Sequence, residues 1–136
     1  MLSQNTLVDG LAITTAISAS VQNVFSGLYG MKELSVEANF VYGSAGTTTK
    51  VWIQTSLDGG SNWIDIANFA FLLTSARKVT TLAIATAAET VTPVDGSLGD
   101  DLEVDGILGD MIRAKLTTVG TYAGDTTLDV NFVPQG

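Results

Sequence analysis

Apolar and polar residues alternate with a period of two along most of this chain, and this pattern restricts its fold more than any other feature. Successive side chains of a β-strand point to opposite faces, so the alternation predicts strands with one buried face. The clearest run places apolar residues at every second position: Leu34, Val36, Ala38, Phe40 and Tyr42. Comparable runs predict an early strand over 11–21 that could break in its middle, and further strands over 49–56, 63–71, 77–84, 112–119 and 128–132. We find no persuasive 3.6-residue stripe of the kind that indicates a helix.

Glycine-rich turns separate these runs, as at 43–46 and in the stretch GTYAGD at 120–125. Seven or eight short strands joined by such turns predict an all-β fold, namely a two-sheet antiparallel sandwich that is jelly-roll-like. A chain of 136 residues has the size of one domain, so we expect 1–136 to form a single sandwich. Three segments fall outside this pattern: an N-terminal arm at about 1–10, a long acidic loop at about 85–110 and the short C-terminal tail VPQG.

The stretch SLDGGSNWIDI at 56–66 has the most specific residue spacing in the chain. Its order is that of the Asp-box of sialidases and related propellers, and it comprises Ser56, Asp58, Gly59, Gly60 and Trp63. A carboxylate in such a hairpin accepts bonds from backbone N–H groups, while the glycines supply positive φ. Because one copy cannot build a propeller, we interpret the motif as a structural turn with Trp63 packed across the hairpin.

The part of the long loop at 95–110 holds six of the fourteen acidic residues: Asp95, Asp100, Asp101, Glu103, Asp105 and Asp110. Long ordered loops are commonly functional. The order of these acids does not match an EF-hand, so we interpret the loop as solvated or as facing basic groups of a partner, with calcium binding as the alternative. The predicted partner interface combines four of these acids with a basic doublet: Asp100, Asp101, Glu103, Asp105, Arg77 and Lys78.

The net charge of −8 restricts the possible partners, since six basic residues face fourteen acidic ones. Nucleic acids and anionic membranes are bound through Lys and Arg, so we expect neither as a partner. The longest nearly uncharged segment, 10–31, is interrupted by polar residues, and we expect no membrane span.

Neither histidine nor cysteine occurs in the chain. Their absence removes the commonest general base, the Ser-His-Asp arrangement and zinc–thiolate sites. We therefore expect no enzyme, no cofactor and no catalytic residue. Two carboxylates could still hydrolyse a glycosidic bond, and this alternative stays open for any acidic protein.

A second alternative is glycan binding, because aromatic side chains can stack on sugars. The candidates are Trp52, Trp63, Tyr29, Tyr42 and Tyr122. Core packing and anchoring of a protein interface are the competing interpretations.

Three stretches together resemble a known group of proteins: VYGSAGTTTKVWIQTSLDGGSNWIDIANFAF, the Val-Thr-Pro-x-Asp-Gly run at 91–96, and DGILGDMIRAKLTTVGTYAGDTTLDV. Over roughly 40–133, the chain resembles small virion structural proteins of tailed bacteriophages and prophages. Within that group it is most similar to a head cement, or capsid decoration, protein of a short-tailed phage.

This resemblance implies a jelly-roll-like protein that binds the outer surface of the capsid and bridges neighbouring major capsid subunits. Its implied partners are the major capsid protein and further copies of itself, as a dimer or trimer. Its implied location is the outside of a virion assembled in the host cytoplasm. We expect contacts from the arm, the tail and the acidic loop, and the alternative within the same group is a tail, neck or baseplate component.

Overall fold

This computed structural model describes residues 5–136, which contain ten β-strands and no helix. The strands are β1 (Asn5–Ala12), β2 (Ser20–Phe25), β3 (Glu33–Val41), β4 (Ser44–Ala45), β5 (Thr48–Ser56), β6 (Ile64–Phe71), β7 (Ala76–Ala83), β8 (Met111–Val119), β9 (Tyr122–Ala123) and β10 (Thr127–Gln135). Within the described part, therefore, no helix has the length and apolar character needed to cross a membrane.

The eight longer strands form two four-stranded antiparallel sheets, in the orders β1-β10-β3-β7 and β2-β8-β5-β6. The two-residue strands β4 and β9 pair with each other at one end. When β4 and β9 are left out and the eight longer strands are numbered along the chain, the strand orders in the two sheets are 1-8-3-6 and 2-7-4-5. This is the arrangement of a jelly roll. The predicted all-β, jelly-roll-like sandwich is confirmed.

The hydrophobic core lies between the two sheets, where the predicted alternation places it. In β3, Leu34, Val36, Ala38 and Phe40 are buried, and β8 and β10 alternate in the same way. Phe40 stacks on Phe71 with ring centroids 5.0 Å apart and meets the edge of Tyr122 at 5.8 Å. These rings join both sheets to the loops at one end of the sandwich.

The early strand predicted over 11–21, with a possible break in its middle, is divided between two strands of different sheets. β1 belongs to one sheet and β2 to the other, and residues 13–19 cross between them. Ile13 is fully buried although it lies in this crossing, and Ala19 adopts a left-handed φ of 46° just before β2. Apolar residues that enter the core from a loop therefore mimicked the alternation of a strand.

The predicted N-terminal arm is wrong for residues 5–10, which lie in β1 with Leu7 and Val8 buried against the core. Residues 1–4 of that arm lie outside the described residues.

The predicted C-terminal tail is also wrong, because β10 continues to Gln135 and Pro134 is buried within it. Gln135 turns its carbonyl to the β3 side, where it accepts the Lys32 N–H at 2.7 Å. Pro134, one residue earlier, therefore turns its nitrogen to the β1 side. The described pairing on that side begins only at Asn5 opposite Phe132, so the missing N–H of Pro134 interrupts none of the described pairs.

Candidate functional site

The acidic loop between β7 and β8 is built into the body of the sandwich. We call residues 94–106 the strap. Its first part lies over the outer face of the sheet containing β5, β6 and β8, where Trp52 is only 6% exposed and donates its indole N–H to the Leu98 carbonyl at 2.9 Å. Its second part runs between β6 and β7, the edge strands on one side of the sandwich.

Asp65 in β6 anchors the first part of the strap. Its carboxylate accepts the backbone N–H groups of Gly96, Ser97 and Leu98 at 2.8–3.0 Å and the Gln54 amide at 2.7 Å, and the residue is 1% exposed. A register shift between β5 and β6 at Ile53 and Gln54 sets Asp65 opposite Gln54. Four donors compensate the burial of this carboxylate.

Sequence reasoning missed Asp65 as a site residue. The available signal was an acid in the middle of an otherwise apolar strand, IDIANFAF, because Asp is depleted from strands.

A polar network beside this anchor connects the strap to β5 and β8. Asp95 accepts bonds from Gln54 at 2.6 Å and from the Lys115 ammonium at 2.7 Å. Arg113 donates to the Gln54 side-chain oxygen at 2.7 Å and stacks on the Trp63 ring at 4.1 Å. Burial disfavours the charged form of Asp95, but the bonds from Lys115 and Gln54 and the nearby cations outweigh burial and lower its pKa.

The second part of the strap pairs with β6 like an irregular extra strand. Asn68 N–H donates to the Leu102 carbonyl at 3.0 Å, and Val104 N–H donates to the Ile66 carbonyl at 2.9 Å. The Asp101 carboxylate accepts the Ala70 N–H at 3.1 Å, so this edge of the sheet is covered.

The same segment also reaches β7. Asp101 accepts the Lys78 ammonium at 2.8 Å, and Glu103 accepts the Thr80 hydroxyl at 3.2 Å. Asp105 accepts the Ala83 N–H at 2.6 Å. The predicted interface acids therefore have partners inside the chain, and their recognition of another protein stays a prediction.

All six basic residues lie within residues 5–136, and four of their side chains contact acids of the strap. Besides Lys78 and the two cations at Asp95, the Lys50 ammonium lies 2.9 Å from Asp100. Arg77 is separated from this group, since it pairs with Glu37 at 2.6 Å on the outer face of the other sheet. That contact lowers the pKa of Glu37 and raises the pKa of Arg77.

The calcium alternative can be compared with the positions of the acidic side chains in the part of the chain that the structure describes. No group of three or more acidic side chains converges there as metal ligands do. The strap acids instead contact cations, backbone N–H groups or, for Glu103, the Thr80 hydroxyl.

All five Asp-box residues lie in the turn between β5 and β6 or beside it. Asp58 accepts the Asn62 backbone N–H at 2.9 Å, the Asn62 amide at 2.7 Å and the Ser56 hydroxyl at 2.9 Å, which lowers its pKa to about 2. Gly59 and Gly60 have φ of 74° and 96°. Trp63 donates its indole N–H to the Gly60 carbonyl at 3.0 Å and closes the turn.

The aromatic platform proposed for glycan binding is wrong in its membership. Trp52 is covered by the strap, and Tyr122 is 1% exposed in the core, where burial raises its pKa. Trp63 is partly covered by Arg113, and Tyr42 packs against Tyr122 with ring centroids 6.0 Å apart. Tyr29 alone of the five is widely exposed, at 80%.

Comparison with protein-family models and with curated proteins finds no match for this chain. Among solved structures, it is similar to the SPBc2 prophage-derived protein YomS, with 13% sequence identity and a TM-score of 0.45. The similarity covers 98% of this chain and 92% of that chain. That neighbour is a prophage protein, and at this identity and TM-score the likeness carries no argument about function.

Proposed function

We propose that this chain is a non-enzymatic virion structural protein that binds the outer surface of a phage capsid. It cements neighbouring major capsid subunits and stabilises the shell against the pressure of packaged DNA. The resemblance of residues 40–133 to phage virion proteins suggests this role. The observation that supports it best is the strap, which closes the sandwich and uses most of the cations of an acidic chain.

The closed edge suits a protein that sits in many copies on a lattice. An uncovered edge strand invites pairing with neighbouring copies, and natural sheets prevent this by covering or bulging their edges. The strap covers the β6–β7 side. On the opposite side, β1 and β2 both carry register shifts, and Asn23 of β2 donates to the Thr6 carbonyl of β1.

The surplus of acids suits the outside of a shell, since the inside faces DNA phosphates. Among residues 5–136, several acids have no side-chain partner: Asp9, Glu33, Glu89, Asp110 and Asp125. Asp100 and Asp101 remain 57% and 49% exposed beside their lysines, so they keep acceptor positions for a partner. Basic groups on capsid subunits complement such a surface, and many copies add avidity.

Co-sedimentation of the purified protein with particles that lack it tests this function. We expect saturation at a copy number near that of the major capsid protein. We also expect the particles to release their DNA at a higher temperature than particles without the protein. Saturation at a few copies per particle, with no gain in heat resistance, would contradict cementing and favour the tail, neck or baseplate alternative.

Paired charge variants test whether the acidic loop carries the contact. Glu89→Gln with Asp110→Asn removes two loop acids that have no internal partner, so the fold is retained. Asp9→Asn with Glu33→Gln makes the same charge change elsewhere and serves as the control. We expect the loop variant to bind at least tenfold more weakly than the control, and an equal loss in both would remove the loop from the interface.

A further inference from the structure

Four loops meet at one end of the sandwich: 13–19, 42–47, 72–75 and 120–126. Bonds between backbone groups hold them together, as from Thr47 N–H to the Val119 carbonyl at 3.0 Å and from Ile13 N–H to the Thr126 carbonyl at 2.9 Å. Although charged residues make up 15% of the chain, these loops contain one charged residue, Asp125. We call this surface the uncharged end.

The backbone of the uncharged end is held in a defined and partly strained conformation. Among residues 5–136, four non-glycine residues have positive φ, and three of them belong to these loops: Ala19, Ala45 and Asp125. A Cβ on Gly43 would overlap the carbonyl of Gly124 across the β4–β9 ribbon. Strained backbone that persists in a fold tends to mark surfaces whose shape matters.

Exposed apolar side chains project from these loops. Leu72 and Leu73 are adjacent in the β6–β7 loop and are 63% and 50% exposed. The Tyr122 hydroxyl fixes this loop by donating to the Leu72 carbonyl at 3.0 Å. Val41 and Val119, at the ends of β3 and β8, are 45% and 53% exposed on the outer faces of the two sheets. Exposed leucines that are adjacent, as Leu72 and Leu73 are, are typical of interaction surfaces.

We propose that the uncharged end is the surface through which two copies of this chain associate. A two-fold interface places the same residues on both sides, so a charge near its axis meets its own like charge. With a net charge of −8, copies repel each other over most of their surface. The strap presents acids, and the outer face of the other sheet presents Asp129 and the Glu37–Arg77 pair. The uncharged end brings the fewest like charges together while it buries exposed leucines.

Sedimentation velocity of the full chain over a wide concentration range tests the association with matched leucine variants. Leu72→Asp introduces a charge into the proposed interface. Leu57→Asp makes the same change at an equally exposed position, 63%, in the Asp-box turn at the opposite end. We expect a concentration-dependent dimer whose dissociation constant rises at least tenfold in Leu72→Asp and is unchanged in Leu57→Asp. Leu73→Asp should repeat the effect.

Asp125→Asn provides a test in the opposite direction. Asn tolerates the left-handed φ of 61° at this position, so the loop keeps its conformation while the one charge of the surface is removed. We expect association to tighten severalfold, most clearly at low salt. A wild-type chain that is monomeric at every concentration would overturn the proposal, as would dissociation by Leu57→Asp but not by Leu72→Asp. If the chain stays monomeric and Leu72 becomes buried only when the chain binds particles, the uncharged end belongs to the contact with the shell, and the proposal is overturned.

Discussion

At the scale of single residues, the Asp65 carboxylate joins the strap to the sheet. Asp65→Asn keeps the size of the side chain but replaces one acceptor oxygen with an NH₂ group that faces backbone donors. We expect this variant to lower the free energy of unfolding by about 3 kcal/mol, because buried donors lose a charged acceptor. Urea unfolding measures the change.

Glu89→Gln is the control for that experiment, since Glu89 is exposed and has no side-chain partner among residues 5–136. Its unfolding midpoint should equal that of wild type. A loss in Asp65→Asn as small as in this control would contradict the anchoring role.

The Asp58 carboxylate gives a second prediction, about pH. Its pKa of about 2 lies below the ordinary Asp value, so ionised Asp58 stabilises the turn above the ordinary pKa. That contribution is lost as the pH falls through the window from about 4 to about 2. The difference in melting temperature between wild type and Asp58→Asn should therefore shrink across this window.

Asn62→Ala tests the cause of the shift, because it removes one donor and leaves the carboxylate in place. The loss of stability on acidification should then be smaller in total and should end at a higher pH than in wild type, because the folded pKa of Asp58 moves back toward its ordinary value. A difference between wild type and Asp58→Asn that stays constant from pH 5 to pH 2 would contradict the assignment of these bonds as the source of turn stability.

At the scale of elements, the strap forms through contacts that no local pattern specifies. β3, β8 and β10 bury one face, so their period of two was visible in the sequence. β5 is buried at almost every position, because the strap covers its outer face. The path of the strap depends on pairings such as Asp65 with Gly96, thirty-one positions apart, which only the tertiary fold brings together.

The boundaries of the arm and tail could not be predicted for a related reason. Residues 5–10 and Pro134 lie in strands because of pairing with β10 and β3, and their own sequence is only weakly periodic. The acids of the loop were visible, but their internal partners, such as Lys78 for Asp101, were not.

Lys78→Met should loosen the second part of the strap, because Asp101 loses its cation and the Ala70 carbonyl loses a donor. Hydrogen exchange at the amides of Asn68 and Val104, which pair across the strap and β6, should become at least tenfold faster. The amide of Val130 in the opposite sheet should not change.

Arg77→Met is the matched control, since Arg77 is the adjacent residue of β7 and its Glu37 pair does not touch the strap. Equal acceleration in both variants would mean that the strap is not held by Lys78.

At the scale of the whole molecule, the distribution of charge separates two kinds of contact. Raising salt from about 0.01 M to about 1 M shortens the Debye length from about 30 Å to about 3 Å. Self-association through the uncharged end should then tighten, because the repulsion between acidic copies is screened. Binding of the acidic surface to a basic shell should weaken over the same range. Sedimentation of the free protein and of particle complexes checks the two signs, and a shared sign would contradict the assignment of separate surfaces.

The most direct test of the central claim is a cryo-EM reconstruction of particles that carry this protein. We predict jelly-roll density on the outer surface of the head, bridging neighbouring major capsid subunits, at a copy number near that of the capsid protein. Density confined to the neck or tail, or density on the inner face of the shell, would contradict the cement function.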